Sequence, residues 1–136
     1  MERKMTNGEM INTVNRIVDM QNREEKAGAK LFSGRIKVLY AIKKNKDKLT
    51  QLLKPYEEAR QELLQECRVQ EESEDGSIKI RKDCIGKWNK AIEELLGIEN
   101  EVEIHMVDFS ELEGLSLSMN DMEAIDFMVG EPENAQ

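Results

Sequence analysis

Seven residues spanning a proline in the middle of this chain step by 3, 4, 3, 4, 3 and 4: Ile42, Asn45, Leu49, Leu52, Tyr56, Ala59 and Leu63. That spacing keeps one side of a helix turned towards one surface, which predicts a helical spine across the stretch. Pro55 lies inside the run. It lacks a backbone donor and crowds the preceding turn, so a kink or a restart is expected there. A restarted helix would carry Pro55 at its first position and Glu57 and Glu58 in its first turn, where acids are favourable. The seam has two outlets: packing inside one subunit, or packing against a second copy. In the second case Asn45, the one polar member, would fix the register, and the chain would be a homo-oligomer.

Further helices are marked by their ends. Thr6 with Glu9 reads as a capping box before Met10, Ile11, Val14, Ile17 and Val18, and Gly28 lies where that helix should stop. Ser33 is a plausible cap for the spine, which then carries Ile36 and Leu39. Asp83 can cap a helix through Ile85, Trp88, Ile92 and Leu95 that ends at Gly97. Ser118 with Asp121 opens a last short helix with Met119, Met122, Ile125 and Met128 on its apolar side. Two segments alternate instead, Ser77–Arg81 and Glu101–Val107, and pairing them would set Lys79 and Arg81 near Glu101 and Glu103. With 136 residues, two prolines and eight glycines, one domain rich in long helices is expected. The predicted fold is mainly α: a long kinked helical spine, a small two-stranded β element and a short C-terminal helix. It comprises a single helical domain over 1–130 and a flexible tail over 131–136.

The net charge is −8, but its distribution is uneven. Residues 93–136 hold thirteen acids and no base, so residues 1–92 carry +5. Opposite ends of this kind attract between copies, or set a basic face against a phosphate-bearing partner. Cys67 and Cys84 are the only cysteines, too few for a disulfide scaffold or a zinc site. No stretch has the ~20 apolar residues of a membrane span, and the N-terminus shows no secretory h-region. A cytoplasmic location is expected, with no membrane partner.

Chemistry-bearing motifs are scarce. Glu71, Ser73, Asp75 and Gly76 match the start of a calcium loop, but the position that needs a bidentate carboxylate is Lys82. An ordinary Asp-Gly turn is the better reading. His105 is the sole histidine and falls on the charged side of its alternating segment, beside Glu103. Nothing around Cys84 marks a nucleophile, and neither GxxxxGK[ST] nor GxGxxG occurs. No catalytic residue, metal or cofactor is therefore assigned. Arg35, Lys43, Lys44 and Lys46 lie in a basic stretch, Lys30–Lys48, and are the candidate ligand- or partner-binding residues. An acidic chain with only Phe32 and Tyr40 to stack in this stretch is poorly suited to duplex DNA. The methionines of the last helix offer an adaptable surface, or simply close the core.

The order of IKKNKDKL (Ile42–Leu49), YEEARQELL (Tyr56–Leu64), the EDG turn (Glu74–Gly76), KWNKAIEELLGIENEVEIH (Lys87–His105) and MEAIDFMV (Met122–Val129) resembles a loose family of small, uncharacterised phage and prophage proteins of Gram-positive bacteria. The resemblance covers roughly residues 30–130 and transfers no site residues. It implies a phage origin and a place in the bacterial host cell. The expected function is a non-enzymatic, oligomeric binding protein that antagonises or modulates a host system by sequestering a host protein or a phosphate-bearing signalling nucleotide. The alternative is a structural or assembly protein of a virion.

Overall fold

The computed structural model describes residues 1–70 and 74–130. The predicted 131–136 tail and the first members of the calcium-like loop, Glu71 and Ser73, lie outside the described residues. The chain is mainly α, as the spacing of its apolar residues requires. Strand β1 (Glu2–Thr6) leads into α1 (Asn7–Ala27). Thr6 and Glu9 form the expected reciprocal cap, and Gly28 ends α1 at φ 66°, a left-handed turn that suits glycine. The spine is α2 (Ile36–Leu52) followed by α3 (Lys54–Cys67), joined at Leu53. The Leu53 N–H still bonds the Leu49 carbonyl and the Glu57 N–H the Leu53 carbonyl, so Pro55 restarts the helix with little loss. Helix α4 (Ile85–Leu96) returns beside α3 and leads into β2 (Glu99–Glu103). Then come β3 (Val107–Asp108), α5 (Met119–Ile125) and β4 (Val129–Gly130).

Two boundaries differ from the sequence reading. The spine starts at Ile36 after Arg35, without a side-chain cap, so Ser33 does not serve. A 3-10 turn over Lys82–Cys84 precedes α4, and Asp83 lies within it.

The strand pairing also differs. β2 pairs antiparallel with β1, with Lys4 opposite Glu101 and Glu2 opposite Glu103. The like-charged second pair is relieved by the Met1 ammonium, which bonds the Glu103 carboxylate and holds its pKa below the usual value. Ser77–Arg81 makes only an isolated antiparallel bridge between Ile80 and Arg68. Lys79 and Arg81 therefore do not serve as the cross-strand partners of Glu101 and Glu103. A second, parallel pair joins β3 to β4, with Val107 opposite Val129.

The core is built from aliphatic and methionine side chains. Met10, Ile17 and Met20 of α1 meet Val38, Ala41, Ile42 and Leu49 of α2. Val102, Ile104, Val107, Ile125 and Met128 complete it, with Phe32 the one fully buried aromatic among the described residues. Three seam positions thus point into the chain's own core: Ile42, Leu49 and Asn45, the last only 1% exposed. The Asn45 amide donates to the His105 carbonyl at 2.9 Å and accepts from the His105 N–H at 2.8 Å. It takes the place of a strand neighbour where the backbone leaves β2 and has not yet entered β3. α5 closes the core over α1, so Ile125 and Met128 are interior while Met119 is exposed.

Asp121 is buried at this contact, 2.9 Å from the Arg23 guanidinium, and also caps α5 by accepting from the Ser118 N–H. Burial opposes its ionisation, but the hydrogen bonds from Arg23 and Ser118 outweigh it and lower the pKa below the usual value.

Asn45→Ala should leave both the N–H and the carbonyl of His105 unpaired, costing about 2–4 kcal/mol in urea unfolding. Because the Asp121 pKa is lower in the folded state, its contribution is complete above the unfolded value near 3.8 and is lost as pH falls through the folded value. Acid titration followed by circular dichroism should show the midpoint moving to higher pH in Arg23→Met.

Candidate functional site

Helix α2 carries two apolar stripes. Val38, Ala41, Ile42, Asn45 and Leu49 are buried. On the other side Ile36 is 74% exposed, Tyr40 55% and Leu39 43%. Residues 36, 39, 40 and 43 recur at helical spacing, so this second stripe was visible in the sequence, hidden only by the stronger inner one. Lys37 and Lys44, both exposed, lie along one side of it, and exposed Lys43 lies in line with it. The result is a ridge with an apolar crest and one basic side. Leu39 also borders a hollow of about 550 Å³ shared with Phe32, Ala29 and Gly28.

The four candidate basic residues do not converge on one point. The Arg35 guanidinium donates to the backbone carbonyls of Glu111, at 3.1 Å, and Glu113, so it clips the loop before α5 to the spine. The same guanidinium lies 3.4 Å from where a Cβ on Gly114 would stand, and Gly114 has φ 81°. Lys46 reaches across to the Gln21 side chain at 3.0 Å, on the α1 side. Lys43 pairs with Asp47 one turn on, at 3.0 Å, and both groups are exposed. Lys44 sits 5.7 Å from the centre of the Tyr40 ring. Successive helical residues turn by about 100°, which spreads these groups round the axis. Lys43 and Lys44 remain on the ridge; Arg35 and Lys46 are engaged in holding the fold.

His105 is half-buried, its ring set edge-on to Tyr40 at 5.4 Å. Its expected exposure beside Glu103 gives way to packing against the spine, because Asn45 draws its backbone onto α2. The two cysteines, read from sequence as too few for a disulfide scaffold, form one disulfide across 17 positions. That bond also removes Cys84 as a nucleophile. The chain reversal between α3 and α4, with its Asp75–Gly76 turn, is what brings them together. Among the described residues no group of three His, Cys, Asp or Glu side chains is placed to hold a metal.

The disulfide lies at the far end of a two-helix arm made by α3 and α4. At the near end Asn7 bonds the Leu95 carbonyl through its side chain, at 2.7 Å, and the Ile98 carbonyl through its N–H, at 2.9 Å. Inside the arm Arg60 lies over the Trp88 ring at 5.6 Å, and Lys87 pairs with Glu66. α4 is strongly two-sided in sequence, yet it has no fully buried residue. The last seam members, Ala59 and Leu63, are here. With Ala91, Leu95 and Ile98 they floor a groove of about 520 Å³ rimmed by Glu62, Glu66 and Glu94. Leu52 and Tyr56, in between, pack partly against the main core.

No family model matches this chain, and no curated protein or solved structure matches it either. No helix among the described residues is long and apolar enough to cross a membrane.

Closing a loop of this length should contribute about 3 kcal/mol, on the chain-entropy account. The loss in Cys67→Ser/Cys84→Ser should be concentrated in the arm. Hydrogen exchange should speed up across α3 and α4 and change little in α1 and α2; uniform acceleration would show that the arm and the core unfold together.

Proposed function

We propose that the chain is a non-enzymatic, phage-derived, oligomeric binding protein that antagonises or modulates a host system by sequestering a host protein in the bacterial cytoplasm. The phage assignment rests on the resemblance carried by residues 30–130. The observation that supports a protein partner is the ridge on α2: Ile36, Leu39 and Tyr40 stand exposed beside Lys37 and Lys44, with Lys43 in line with them. An apolar crest with a basic side suits an acidic surface that has an apolar trough. Burial of the crest would supply affinity, and the lysines would supply steering and orientation. A signalling nucleotide is the weaker version of the same idea. It calls for several cations aimed at one phosphate group, and Arg35 and Lys46 are held elsewhere.

The test is binding of a purified host protein first captured with the tagged chain from a bacterial host. Lys43→Glu/Lys44→Glu should weaken that binding at least about tenfold, and the unmodified pair should lose affinity steeply with salt. Binding unaffected by the double reversal would remove the ridge from the mechanism. A nucleotide released on denaturing the purified chain would favour the phosphate-bearing ligand. Stoichiometric incorporation into virions would favour the assembly role.

A further inference from the structure

The ridge and the arm groove are opposites in both shape and charge. The ridge is one helix edge with an exposed apolar crest, Ile36, Leu39 and Tyr40, and with Lys37 and Lys44 along one side; Lys43 lies in line with the crest and is paired with Asp47. The groove is a concave seam between two helices, with an apolar floor of Ala59, Leu63, Ala91 and Leu95 and an acidic rim of Glu62 and Glu94, Glu66 being paired with Lys87. The small side chains Ala59 and Ala91 leave room for a helix edge between α3 and α4. A chain cannot fill its own groove with its own ridge. Tyr40 and Ala59 lie nineteen residues apart along the spine, about 30 Å at the helical rise.

We infer that the α3–α4 groove receives the α2 ridge of a second copy of this chain. The contact is heterologous: each copy offers one ridge and one groove, and docking leaves one of each free at the ends of the assembly. Copies therefore add head to tail, closing into a ring if the rotation allows and extending if it does not. The inference rests on the proposed function only in its use of the same ridge, and it gives the oligomer a surface other than the inner seam. Ile42, Asn45 and Leu49 are spent inside the subunit. The crest and rim are at the surface.

Two variants separate the halves of the contact. Ile36→Glu/Lys37→Glu spoils the ridge and keeps the groove; both positions are exposed in the first turn of α2, where acids suit the helix dipole. Glu62→Lys/Glu94→Lys spoils the groove and keeps the ridge, again at exposed positions. Sedimentation velocity across the micromolar range should show the unmodified chain self-associating and each variant at least about tenfold weaker, with unchanged circular dichroism. Mixing the two variants should restore one intact ridge and one intact groove, giving a one-to-one dimer and nothing larger. A monomeric unmodified chain overturns the inference, as do variants that associate like the parent or a mixture that stays monomeric. The groove variant still presents a free ridge, so its binding to the captured host protein reports on the proposed function separately. If the groove variant fails to bind that protein while the mixing experiment gives the one-to-one dimer, the partner reading alone is sunk.

Discussion

The side-chain amide of Asn45 does the work of a β-strand at a point where no strand is available. The backbone passes from the β1–β2 ladder to the β3–β4 pair through residues 104–106, and both polar groups of His105 would be left without a backbone partner there. A buried amide on α2 satisfies both at once. Apolar neighbours on the same helix face, Ile42 and Leu49, could not. The cost of an unmade buried hydrogen bond exceeds the net gain of an average one, so this position is specified more sharply than its contribution to hydrophobic burial suggests. From that tie the other placements follow. β2 is held where β1 can pair with it, α1 is brought across α2, and α5 folds over the seam with Met128 within 3.5 Å of the same amide.

Much of the helical frame was legible in the sequence. The Thr6–Glu9 and Ser118–Asp121 boxes and the glycine after α1 are local signals that act within one turn, and the structure keeps all of them. The heptad spacing through Pro55 marked a helical stretch whose first members, Ile42, Asn45 and Leu49, turn to the core, while Ala59 and Leu63 line the groove of the arm. It could not name what that stretch meets, because a helix packed on its own domain and a helix packed on a twin satisfy the same periodicity. Strand pairing was harder. The segment Glu2–Thr6 has three exposed charged residues and only Met5 buried, so it lacks the alternation that announces a half-buried strand. Its partner could be recognised only after the fold had brought the N-terminus to β2.

The candidate binding residues show the same division. Composition marked Lys30–Lys48 as basic, and it is. Whether a cation faces a ligand or secures a loop depends on its azimuth round the helix and on what lies opposite. Arg35 meets the carbonyls before α5 and Lys46 meets Gln21 on α1, contacts 76 and 25 positions away that no local pattern encodes. The disulfide is a similar case. Its two cysteines are unremarkable in spacing, and only the antiparallel return of α4 along α3 makes them neighbours.

The hydrophobic core stops short of the arm. Among the described residues none between 57 and 101 belongs to it, although Leu64, Cys67 and Cys84 are themselves buried. The arm is thus held by its own small set of contacts, by the disulfide at its tip and by Asn7 at its root. Evolution can then act on two nearly independent accounts of constraint. Substitutions along the outward sides of α3 and α4 alter what the molecule presents without touching the packing that makes it fold. Sequence change on the outward sides of the arm is therefore tolerated more readily than change around Asn45.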